Sequence, residues 1–161
     1  MSVQHRKDSI KSLRLAAMGI TPPDDWGNLE QVRVAKRYEM GAAATAAIHA
    51  GVEVDGKHYS LTEHDQKELM GQLAKVQAGA PYVPYHADGE LCRMFSAAEF
   101  LAVVSAAMQH IFWHRTYVNH LNAWIRRGKL KEVIPIYYGI DLPKDLAKNL
   151  AELIEKAGDL F

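Results

Sequence analysis

From Ser96 onward an apolar position recurs alternately every four and three residues: Phe100, Val104, Ala107, Ile111, then His114, then Val118, Leu121 and Ile125. That spacing predicts one helix from Ala97 to Arg127 with a heptad seam that carries a single histidine. A second line on the same helix, Val103, Ala106, His110, Trp113, Tyr117, His120 and Trp124, is rich in aromatics and histidine. At 1.5 Å per residue this helix is about 45 Å long, whereas a globule of this size is only ~30 Å across. The helix therefore either breaks or stands out from its own fold to pack on other helices or subunits. Arg126, Arg127 and Gly128 suit its C-terminus.

Between Val52 and Phe95 the period shortens. Val52-Glu53-Val54, Asp55-Gly56 and Lys57-His58-Tyr59 read as a hairpin, because Asp-Gly supplies two turn positions that tolerate positive φ. Thr62 with Asp65 three residues on reads as a capping box, opening a helix that buries Leu69, Leu73 and Val76 and ends near Ala78-Gly79. The grammar then recurs: a strand Tyr82–His86, a turn Ala87-Asp88-Gly89, a strand Glu90–Phe95 and a Ser96…Glu99 capping box. The recurrence fits a hairpin–helix duplication and fits two ordinary connections equally well.

The flanks are helical. Trp26 to Ala50 is alanine-rich and suits close packing, with Asp24 or Asp25 as its cap and Gly51 as its stop. The basic N-terminal stretch, weakly similar to a transit peptide, reads as a short amphipathic helix with Ile10, Leu13 and Ala17 inward. Leu142 to Leu160 is amphipathic too, with Leu146, Leu150, Leu153, Ala157 and Leu160 on one stripe. The expected organisation is a helical adaptor over 1–50, a hairpin–helix–hairpin–helix core over 51–128, and a linker with a C-terminal helix over 129–161. The fold class is α+β, with short antiparallel hairpins packed on helices.

Composition narrows the function classes. Lys+Arg and Asp+Glu both number 19, a balance that argues against a nucleic-acid coat or a polybasic membrane binder. The longest apolar run, Phe100–Met108, is about half of what spans a bilayer. With Cys92 as the single cysteine, neither an internal disulfide nor a multi-cysteine zinc module can form.

Candidate chemistry is thin. His110 and His114 lie one helical turn apart and could chelate zinc or iron with a third ligand such as His64 or His86. The plainer reading makes them hydrogen-bonded seam residues. Cys92 with His86 is the only candidate nucleophile pair, and a lone strand cysteine is usually an inert hydrophobe. Arg126, Arg127, Lys129 and Lys131 could meet phosphates but are better explained as a solvated helix end. Turns and caps use up the carboxylates, and neither a phosphate loop nor a dinucleotide fingerprint is present. The expectation is a non-enzyme without cofactor or metal that contacts neither membrane nor nucleic acid.

SLTEHDQKEL at 60–69, YHADGELCRMFSAAEF at 85–100, AAMQH at 106–110 and HRTYVNHLNAWI at 114–125 together resemble a phage-encoded domain of unknown function. That domain occurs in tail-region and tail-fibre-associated proteins of bacteriophages and prophages, and the similarity covers about residues 52–127. The resemblance implies a virion structural or tail-assembly role after synthesis in the host cytoplasm. Its partners would be other phage tail proteins, and it transfers no catalytic residues. With the seam, it predicts homo-oligomeric association through Phe100, Val104, Ile111, His114, Val118, Leu121 and Ile125. A tail-fibre chaperone absent from the mature particle and a histidine-metal enzyme are the alternatives.

Overall fold

The computed structural model describes residues 2–158. Its elements run α1 (Val3–Ala17), α2 (Leu29–His49), β1 (Val52–Val54), β2 (Lys57–Tyr59), α3 (Glu63–Gln77), β3 (Tyr82–Tyr85), β4 (Arg93–Ser96), α4 (Ala97–Arg127), α5 (Leu130–Val133) and α6 (Lys144–Gly158). This is the expected α+β class, helical at both ends, with two separate antiparallel hairpins, β1–β2 and β3–β4. The long helix α4 is unbroken over 31 residues.

The division into compact units differs from the expected linear one. One unit combines residues up to 44 with 116–152, and the other combines 45–115 with the chain from 153 onward. The reason lies in the helices: α2, α4 and α6 each contribute residues to both units, so sequence boundaries do not mark the packing boundaries.

In the unit holding the hairpins, the core is Phe95, Phe100, Leu61, Leu69, Val83 and Val103, with Tyr59 and Tyr85 stacked at a centroid distance of 6.2 Å. The first hairpin turns as its Asp-Gly demands, with φ 51° at Asp55 and 74° at Gly56. Gly51 stops α2 at φ 84°, where a Cβ would lie 2.0 Å from the Tyr59 carbonyl oxygen, so only glycine fits. Thr62 and Asp65 complete their capping box.

The second hairpin departs from expectation. Its register pairs Val83 with Phe95 and Tyr85 with Arg93, so residues 86–92 are all loop and Cys92 is exposed outside any strand. The Ala87-Asp88-Gly89 turn itself forms as expected, with the Glu90 N–H donating to the Ala87 carbonyl at 3.1 Å and φ 74° at Gly89, but its Asp88 also reaches the first hairpin. Its backbone N–H donates to the His58 carbonyl at 2.9 Å, and its carboxylate accepts from the Ser60 N–H and hydroxyl. Ser96 caps α4 by accepting from the Glu99 N–H at 3.2 Å, but Glu99 turns its carboxylate to Arg93, so half of the expected box is missing.

The other unit has its core at Val32, Met40, Tyr117, Leu121, Ile125, Val133 and Ile136. Asn28, rather than Asp24 or Asp25, caps α2: its side-chain oxygen accepts from the Gln31 N–H, while Asp25 closes a local turn on the Gly27 N–H. Lys36 is buried beside Glu39, which also pairs with Arg14, and the Lys36 ammonium donates to the Ile136 carbonyl at 2.7 Å. Burial holds the Lys36 ammonium below its ordinary value, against the pull of Glu39.

Helix α1 reverses its expected face. Ile10 is 61% exposed and Leu13 71% exposed, with Val3 and Ala17 also outward. The inward face is polar except for Leu15: Trp26 Nε1 donates to Ser12, the Lys11 ammonium lies over the Trp26 ring, and Arg14 reaches Glu39. These directional contacts fix the rotation of the helix and leave its apolar residues on the solvent side.

Candidate functional site

The expected association seam on α4 is occupied by the chain's own cores. Phe100, Val104, Leu121 and Ile125 are buried, and Ile111 and Val118 pack against buried clusters. Each side chain buried this way gains roughly 1.5–3 kcal/mol from leaving water. The apolar surplus that motivated an α4 interface is therefore spent internally. His114, the histidine of the seam, is partly buried, with its ring edge-on to His110 at 4.5 Å and to Trp113 at 4.9 Å.

The histidines are tied into hydrogen bonds. His110 Nε2 faces the Ala47 carbonyl at 2.9 Å, which caps the last turn of α2 from the side. Burial, and then the neighbouring His110, hold His114 below the ordinary imidazole value. His120 is buried with Nδ1 on the Thr116 carbonyl and Nε2 2.7 Å from the Asn149 side-chain amide. Among the described residues no set of three His, Cys, Asp or Glu side chains converges for a metal ion. His64 is exposed, and His86 Nδ1 contacts the Ala87 carbonyl.

At the basic end of α4, Arg127 is engaged: it grips Asp145 through two hydrogen bonds, pulling that carboxyl down to about 2. The Glu132 carboxylate accepts from the Lys129 N–H. The Ile125 carbonyl in the last turn of α4 and the Gly128 carbonyl just beyond it accept from the Arg33 guanidinium.

Between the two hairpins sits a polar lock that spacing did not reveal. His58 Nδ1 lies 2.7 Å from the Asp88 carboxylate and Nε2 lies 2.6 Å from the Ala50 carbonyl. Both partners are acceptors, so only the imidazolium can donate to both. The hydrogen bond to Asp88, then that to Ala50, raises His58 above its ordinary value. Burial opposes ionisation of Asp88, but the bonds from Ser60 and His58 outweigh it and hold the carboxyl low. Ser60 donates to the carboxylate rather than to the imidazole, so the trio braces the turn and does not activate a nucleophile.

Exposed apolar side chains lie on α1 and on one side of α2, and also around the second hairpin at Tyr82, Leu91 and Met94. Val34 and Tyr38 are 52% and 68% exposed, and with Ile20, Pro22 and Pro23 they line an open cavity of about 600 Å³. Asp24 and Glu30 supply the charge of its lining, which contains no Lys, Arg or His among the described residues. Glu30 pairs with Arg33. Val34 and Tyr38 also border a second cavity of about 360 Å³ with Arg37 and Asn122. Periodicity alone could not find this groove, because it depends on how Gly19–Asp24 lies against α2.

A helix-dominated α+β fold with braced hairpins and an open apolar groove defines the class. Within it, the chain belongs to the family described as Domain of unknown function (DUF4376), whose model matches residues 31–131. The match starts within α2, earlier than the resemblance at 52–127 suggested, and leaves α1 and α6 outside. No curated protein and no solved structure matches the chain.

Proposed function

We propose that this chain is a non-enzymatic structural or assembly protein of a phage tail, baseplate or fibre, acting by protein–protein association. Two lines support this. The first is the resemblance of residues 52–127 to tail-region proteins. The second, which carries the reading, is the orientation of α1: a helix with Val3, Ile10 and Leu13 largely exposed keeps apolar surface in water that a partner can cover. The association surface in this reading is α1 and its surroundings, not the α4 seam. The same orientation also serves a chaperone that leaves before the particle is finished.

Mass spectrometry of purified particles from the phage or induced prophage that encodes the chain tests the reading. A tail component is present in fixed proportion to the other tail proteins. Presence in the producing cell but absence from particles selects the chaperone. A gene remote from any phage structural genes, with no product in particles, contradicts both.

A further inference from the structure

The outward face of α1 and the groove beside α2 are complementary in both chemistry and charge. Val3, Ile10, Leu13 and Ala17 fall at heptad spacing on one side of α1, and Arg6 and Lys7 flank them. The one acid of that helix, Asp8, is turned inward onto Lys11. The groove offers Ile20, Pro22, Val34 and Tyr38 with no cation in its lining; Glu30 is paired with Arg33, and Asp24 supplies the other carboxylate. The outward side of α1 cannot be covered by the α2 surface on which α1 already sits, since Ser12, Leu15 and Arg14 anchor its opposite side to Trp26, Ile20, Ala35 and Glu39. A parallel α1–α1 pairing would bring Arg6 and Lys7 against their own copies, a like-charge arrangement.

We propose that the groove lined by Ile20, Val34, Tyr38 and Asp24 is the docking site for the apolar face of α1 from a second copy of this chain. Arg6 and Lys7 of the incoming helix meet the Asp24 carboxylate of the groove. The contact is heterologous, since a face on one copy meets a different face on the next. It leaves every assembled copy with a groove or a helix still open unless the ring closes. Association through unlike faces is how a ring or a stacked tube grows. This deepens the assembly reading above and rests on it.

Two variants separate the faces. Leu13→Glu spoils the helix face and leaves the groove intact; Val34→Glu spoils the groove and leaves the helix intact. Both positions are more than half exposed, so thermal unfolding should match the unsubstituted chain. Sedimentation velocity across a concentration series of the full chain is the readout. The unsubstituted protein is expected to grow beyond a dimer as concentration rises. Each variant alone should need about tenfold more protein or greater to associate, the scale of one buried leucine lost. An equimolar mixture should recover association but stop at a one-to-one dimer, because it holds one intact face and one intact groove. Asp24→Lys should weaken assembly, and Arg6→Glu in the other copy should restore it.

An unsubstituted chain that stays monomeric overturns the proposal, whereas failure of the tail-protein reading is seen separately in the particle composition. A mixture that remains monomeric also overturns it, because that points to an isologous contact. So does binding of the monomer to vesicles of anionic phospholipid that Leu13→Glu abolishes, since the occupant is then a lipid surface.

Discussion

Replacing Leu121 by alanine removes two methyl carbons and one methine from the centre of a core in which nothing is free to move in. Leu121 is 0% exposed and belongs to one cluster with Val32, Met40, Tyr117 and Ile125. Three of those neighbours are rigid β-branched or aromatic side chains, so little collapse into the void is available. Leu→Ala at such sites costs roughly 3–5 kcal/mol, combining lost transfer energy with the residual cavity. For a chain of this length that lowers the melting temperature by roughly 10 °C. The assay is urea unfolding followed by far-UV circular dichroism, alongside light scattering to read mass. Leu13→Ala is the matched control on an exposed side chain (71%), expected within about 0.5 kcal/mol of the parent. Should Leu121→Ala keep the parental urea midpoint while losing assembled mass, the reasoning that places the α4 seam in the chain's own core is refuted.

Other consequences follow from single contacts. Gly51→Ala forces a Cβ against the Tyr59 carbonyl at positive φ, and is expected to lower stability by about 2 kcal/mol or more, read from the same unfolding curves. Glu39→Ala leaves the buried Lys36 ammonium without its counter-ion, so a loss of roughly 3–5 kcal/mol is expected, with Lys36→Met in the same chain recovering much of it. The His58 lock gives a pH dependence with a fixed sign. The folded value lies above 6.5, so its contribution is complete below 6.5 and fades as pH rises through the raised folded value. Asp88, held below 3.8 when folded, adds stability above 3.8 that is lost as pH falls through its depressed value. His58→Gln should flatten the melting-temperature profile on the alkaline side of 6.5 and shrink the acid limb without abolishing it, since Ser60 still holds Asp88 low; an unchanged alkaline slope would refute the lock.

Local rules were legible in the sequence where donor, acceptor and turn lie within a few residues. Asp55-Gly56, Thr62 with Asp65, and Gly51 are such cases, and each adopts the conformation that its residue types require. Reading failed where a residue's partner is distant in sequence. Residues 86 and 90–92 read as strand although they lie in a loop, since the bonds of Asp88 to His58 and Ser60, about thirty residues away, leave no periodic trace. The α4 seam was visible as a pattern, but an apolar stripe does not say whether its cover is the same chain or another. Helix α1 failed for the opposite reason. Its apolar stripe predicts an inward face, whereas Ser12, Lys11 and Arg14 form specific polar contacts to Trp26 and Glu39 that outweigh the stripe. The groove beside α2 was invisible because a loop rather than a period builds it.

The account turns on which apolar face is outward, and thiol labelling measures that directly. In a Cys92→Ser background, needed because Cys92 is exposed, cysteine is placed singly at Leu13 and at Leu121. The thiol at 13 should react at the rate of a free thiol in dilute protein and become protected as concentration rises. The thiol at 121 should react only through unfolding, at every concentration. A thiol at 121 that labels rapidly in dilute protein, beside one at 13 that is protected there, would contradict the account.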